Sequence, residues 1–133
     1  HALPTFHEKN DRFGANSFLM TSLQMRGVYN NYANALVLFN GDAKAALENS
    51  KIAEWYLTYD QMQPVFYYRA AYLYILGNYD EAYHLYDLQE NKNSMRKTVD
   101  RYSTYQIINT YCNESGGKSE PCIKLKSESR FVK

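Results

Sequence analysis

A spacing pattern that occurs twice constrains this chain more than any other feature. In its first copy Tyr29, Ala33 and Leu36 are spaced four and then three residues apart, Gly41 follows five residues later, and Ala46 five after that. In its second copy Phe66, Ala70 and Leu73 keep the same spacing, Gly77 follows four residues later, and Ala82 five after that. Phe66 lies 37 positions beyond Tyr29, and Gly77 lies 36 beyond Gly41. Steps of three and four place side chains on one helical face. A glycine adopts positive φ at little cost and so ends a helix. A small residue lets two helices approach closely, and large neighbours fill the gaps beside it. The repeated unit is therefore a helix, a tight turn and a second, antiparallel helix. The expected fold class is all-α.

The turns carry their own chemistry. In "NGD", residues 40–42, Gly41 suits a left-handed cap and Asp42 suits the N-cap of the helix that follows. In "GNYDE", Gly77 ends one helix, and Asn78 caps the next with Glu81 three residues on, a variant of the capping box. The first helical pattern begins at Asn16-Ser17, and Gly27 inside it allows one long helix or two. The second pattern runs over 43–59 with a stripe of small residues. After it, either Asp60 caps with Gln63, or Gln63 caps with Pro64 at the first helical position. A further helix is expected from Ser94 or Thr98 to about Cys112, on a partial stripe of Val99, Tyr102, Ile108 and Tyr111. The basic tail "CIKLKSESRFVK" reads as a short strand, a docked segment or the start of further sequence.

The second copy resembles the tetratricopeptide repeat, a helix–turn–helix unit of 34 residues. Phe66, Ala70, Leu73, Gly77, Tyr79, Ala82 and Tyr86 fall where that family places its aromatic, small, large, Gly, Tyr, Ala and aromatic residues. The resemblance spans roughly 27–94 and departs from the family in places. Arg69 stands in the first place of the Leu/Gly pair, Gln89 and Ser94 replace the closing Ala and Pro, and Ala43 stands where the first turn should carry Tyr. It implies hairpins stacked as a short right-handed array, with residues 17–113 as the helical domain and a C-terminal capping helix. Residues 1–16 are expected to form an extended arm, and residues 114–133 a tethered tail. The family binds peptides on a concave face lined by the first helix of each repeat. On this sequence that places Asn30 and Asn34 there from one repeat, and Tyr67, Ala71 and Tyr74 from the next. Asn side chains both donate and accept, as clamping a peptide backbone requires.

The two cysteines, Cys112 and Cys122, flank nine residues that include Gly116, Gly117 and Pro121. Such a loop lets two thiols meet, and a disulfide implies an oxidising compartment. The other reading is two unrelated thiols in a reducing one. Only three histidines accompany them, at 1, 7 and 84, so no zinc site is expected. The chain opens on "HALPTFHEKND" without an initiator Met, which reads as a processed product or a fragment. Asn113-Glu114-Ser115 fits the N-glycosylation triplet.

Net charge is +1, from 15 basic and 14 acidic residues, which argues against nucleic acid or an anionic membrane as partner. No apolar run approaches the length of a membrane span. There is no Gly-rich phosphate loop, no GxSxG and no HExxH. His84 lies within a helix without an evident partner. Asp80 and Glu81 open a helix, where they complement its dipole. Tyrosine is the anomaly: 14 residues, with eight aromatics between 66 and 86. Tyr67, Tyr68, Tyr72, Tyr74 and Tyr83 exceed what the repeat needs for its core. They either fill gaps between hairpins or line a contact with another chain.

The expected function is a non-enzymatic scaffold or adaptor that binds a protein or peptide, or itself, without a cofactor, in an exported, periplasmic or secreted setting. The alternative is an extracytoplasmic sensory or regulatory domain of a larger membrane-anchored bacterial regulator. Tyr67 and Tyr74 are expected to be partly exposed, with Ala71 leaving a shallow gap between the two rings.

Overall fold

The computed structural model describes residues 22–53, 63–92 and 99–133, with side chains described at 31–52, 64–92 and 99–133. The expected arm at 1–16 lies outside the described residues, as does the stretch that follows residue 53. The described residues are mostly helical and include no strand. In chain order the α-helices are α1 (Ser22–Asn40), α2 (Ala43–Ala53), α3 (Gln63–Ile75), α4 (Tyr79–Lys92), α5 (Ser103–Ser115) and α6 (Glu120–Leu125). A 3-10 turn, Val99–Tyr102, leads into α5.

Both expected turns are present. Gly41 has φ +67° and Gly77 φ +85°, so each ends its helix in the left-handed region. The Asn78 amide donates to the Leu73 carbonyl at 2.9 Å, and the Gly77 amide to that of Tyr74 at 3.0 Å. Together these two bonds satisfy carbonyls that the end of α3 would otherwise orphan. At the other turn Asp42 Oδ1 accepts from the Ala45 amide at 3.0 Å, an N-cap bond. Helix α1 runs through Gly27 without interruption.

The small residues of the repeat are all buried. Ala33, Ala46, Ala70 and Ala82 are inaccessible to solvent, which close packing of α1 on α2 and of α3 on α4 requires. Helix α3 is central: it packs on α2, α4 and α5, and also touches α1, the 3-10 turn and α6. Helix α5 lies against α3 and reaches back to α1. Its buried face is Thr104, Ile107, Ile108 and Cys112, whereas Val99 is exposed. The stripe expected from Val99 thus begins one turn later, because Val99–Tyr102 winds as a 3-10 segment.

Cys112 on α5 and Cys122 on α6 are joined as a disulfide, with Cα atoms 5.5 Å apart. Gly116 and Gly117, both at positive φ, reverse the chain between them. Helix α6 has only six residues, too few to persist without tertiary support. The disulfide and the buried Pro121 and Leu125 supply that support. Closing a loop of this length stabilises by about 3 kcal/mol if chain entropy dominates. A double variant, Cys112→Ser with Cys122→Ser, should lose about that much in urea unfolding, with α6 and the residues beyond it losing amide protection first.

Candidate functional site

The residues expected to line an open face do not. Tyr67, Ala71 and Tyr74 are each fully buried. Their stripe turns toward α4 and the C-terminal segment. The Tyr67 ring meets Tyr86 edge-on at 5.7 Å, its hydroxyl donates to Glu90 at 2.8 Å, and its carbonyl accepts from the Thr104 hydroxyl at 2.7 Å. Glu90 is held in turn by Arg101 at 2.6 Å. Because α3 has neighbours on several sides, it keeps no open face for this stripe. Asn34 is half-buried, and its side-chain oxygen accepts the Tyr72 hydroxyl, which ties α1 to α3. Asn30 lies on α1, its side chain outside the described residues.

What covers Tyr74 is the chain's own C-terminal segment. Beyond α6 the backbone leaves the helix, and residues 128–132 lie across the α3–α4 hairpin. The Phe131 ring is buried and meets Tyr74 at 5.3 Å and Tyr86 at 4.9 Å, both edge-to-face, with Tyr83 tilted at 5.7 Å. Such geometry aligns the positive edge of one ring with the negative face of another. Glu128 is buried and accepts three hydrogen bonds: from the Tyr83 hydroxyl, from the Tyr74 hydroxyl at 3.1 Å and from the Arg130 amide at 3.3 Å. The Val132 amide donates to the Tyr86 oxygen at 2.8 Å. The Arg130 guanidinium lies 4.3 Å from the centre of the Tyr83 ring, close enough for a cation–π contact.

The electrostatics follow from this arrangement. Burial alone would raise the Glu128 carboxyl. Burial is the largest single influence, but the hydrogen bonds from Tyr83, the Arg130 amide and Tyr74 and the Lys124 charge together outweigh it, and the carboxyl falls below its ordinary value. The two phenols move the other way. Burial, and then the Glu128 charge and hydrogen bond, raise Tyr74 well above the usual phenol range. Burial and the same carboxylate push Tyr83 up to about 12.

The sequence reasoning missed Glu128, Phe131 and Tyr86 as members of one site. The available signal was a lone acid and a lone aromatic in an otherwise basic tail. An open cavity of about 350 Å³ lies beside the disulfide, lined by Tyr105, Asn109, Asn113 and Lys126 among others. His84, Asp80 and Glu81 are exposed. Among the described residues no group of His, Cys, Asp and Glu is arranged to hold a metal ion, and no helix is long and apolar enough to cross a membrane.

Fold and site together define an all-α domain of helical hairpins, stapled by one disulfide and carrying a C-terminal segment without regular structure in a tyrosine groove. No family model, no characterised protein and no solved structure matches this chain.

The lowered carboxyl makes a signed prediction. A carboxyl whose folded pKa lies below its unfolded value, near 4.3, stabilises fully above that value and loses its contribution as pH falls through the folded one. Glu128→Gln keeps the shape but removes the charge. At pH 7 it should cost about 1.5–3 kcal/mol, the range of hydrogen bonds to charged groups. The gap between wild type and variant in urea unfolding should close as pH falls below about 4. A gap that stays constant from pH 7 to pH 3 would show that the Glu128 charge does not hold the segment.

Proposed function

We propose that this chain is an exported, non-enzymatic scaffold domain that binds a protein or peptide, and that its recognition surface is the tyrosine groove of the α3–α4 hairpin. The observation that carries this is the grip of that groove on residues 128–132. A stretch without regular structure is held there by side chains, through aromatic rings, phenol oxygens and a buried carboxylate. Surfaces that bind peptides use the same means: tyrosine contributes large area at low entropic cost and a polar tip for the partner's backbone. The groove differs from the one the family resemblance implies. Tyr74 belongs to it, whereas Tyr67 and Ala71 lie in the packed interior.

A tetratricopeptide-like arrangement remains part of this proposal. It is supported by the buried alanines at the repeat positions and by the left-handed glycines at both turns. Helix α5 would then be the cap, since it packs against the first helix of each hairpin. The exported setting is supported by the disulfide, which persists in oxidising compartments.

Phe131→Ala in the full chain should free the groove while leaving the hairpins folded, as checked by circular dichroism. Panned against random peptides displayed on phage, that variant should enrich a recurrent motif, and the wild-type chain should enrich it far less. If the folded variant enriches no motif, the groove does not bind peptides and the proposed function fails.

A further inference from the structure

The segment in the groove is anchored at two points three residues apart, and the positions between them are open. Glu128 and Phe131 are buried, whereas Ser129 and Arg130 are exposed. The acid sits where two phenol hydroxyls converge, with the Lys124 charge nearby. The aromatic ring sits among Tyr74, Tyr83 and Tyr86. One position further on, the Tyr86 oxygen takes a backbone amide, a contact any residue except proline can make. The groove therefore reads an acid, leaves the next position open, meets Arg130 only over the face of the Tyr83 ring, reads an aromatic, and then takes a backbone N–H.

We propose that the groove is a receptor for a segment of a partner protein that lacks regular structure and carries an acidic residue three positions before an aromatic one, and that residues 128–132 occupy it in cis until such a segment displaces them. This rests on the peptide-binding reading above. The seat is exchangeable because of how it is held. The helical bonds of α6 end with the amides of Lys126, Ser127 and Glu128, and none of the hairpin helices includes any of residues 128–132. Ordering the segment costs backbone entropy at every residue, which opposes its two anchors. Bound to the hairpin through side-chain groups and lying outside every helix, such a terminal segment opens at lower cost than the helices themselves. A short tether gives the resident segment an effective concentration of the order of millimolar. The wild-type chain is thus masked against weak competitors and open to a partner that brings further contacts.

The test uses the 133-residue chain and a fluorescein-labelled heptapeptide, SESRFVK, with two altered versions: Gln in place of its Glu, and Ala in place of its Phe. Phe131→Ala should bind SESRFVK at least tenfold more tightly than either altered peptide, and at least tenfold more tightly than the wild-type chain does. Equal binding of all three peptides would overturn the proposed specificity, as would a folded variant that binds none of them. If the variant loses its helical signal, the wild-type chain decides. Unlabelled SESRFVK at about 10 mM should then move the Val132 amide resonance toward its free position, and no movement would overturn exchange. A concentration-dependent dimer of the wild-type chain, abolished by Phe131→Ala, would give the groove to a second copy and overturn the partner assignment. Phage panning separates the two levels: motifs that lack the acid–aromatic spacing defeat this inference alone, while no motif at all defeats the peptide-binding function with it.

Discussion

The buried phenol hydroxyls are the constraint on which the rest of the structure depends. A tyrosine ring is apolar enough for a core, but its oxygen is not, and an unpaired buried hydroxyl costs about 1–3 kcal/mol. Helix α3 places Tyr67, Tyr72 and Tyr74 in the interior, and α4 adds Tyr86. Each finds a partner from another element. Tyr67 reaches Glu90 on α4, Tyr72 reaches Asn34 on α1, Tyr74 reaches Glu128, and Tyr86 accepts from Val132. These bonds tie α1, α4 and the C-terminal segment to α3. A tyrosine-rich hairpin of this kind is incomplete without the residues that follow α6.

The same chemistry connects the staple to the groove. The disulfide fixes α6 against α5, and α6 delivers Glu128 and Phe131 to the hairpin. The phenols that serve the core also make the groove selective, since Tyr74 and Tyr83 meet on one carboxylate. Burial of that carboxylate is tolerated because three donors compensate its lost hydration. Stability and recognition therefore share residues, so a change at Tyr74 would disturb both.

Much of the fold was legible in the sequence because its signals are local. Gly41 with Asp42, and Gly77 with Asn78, mark turns through backbone chemistry that needs no knowledge of the neighbours. The alanines at 33, 46, 70 and 82 announce close helix contacts by their size and spacing. Cys112 and Cys122 announce their bond by the glycines between them. The site was less legible. Periodicity along α3 separates its faces but does not say how many of them are covered. It marked Phe66, Ala70 and Leu73 as packed, of which Ala70 and Leu73 are buried and Phe66 is only half-buried, and left Tyr67, Ala71 and Tyr74 as an open stripe. Helices α4, α5 and α6 and the C-terminal segment cover α3 more fully than one amphipathic face would suggest. The segment itself has no period, and its two anchors reach the groove through partners more than 40 residues away in sequence, as with Tyr83 and Glu128.

The central claim is that residues 128–132 lie in the tyrosine groove of their own chain. Nuclear Overhauser contacts in the 133-residue chain at pH 7 test it most directly. The structure predicts cross-peaks between the Phe131 ring protons and the rings of both Tyr74 and Tyr86, with a slowly exchanging Val132 amide. Random-coil shifts over residues 128–133, with no contact from Phe131 to either tyrosine, would contradict it.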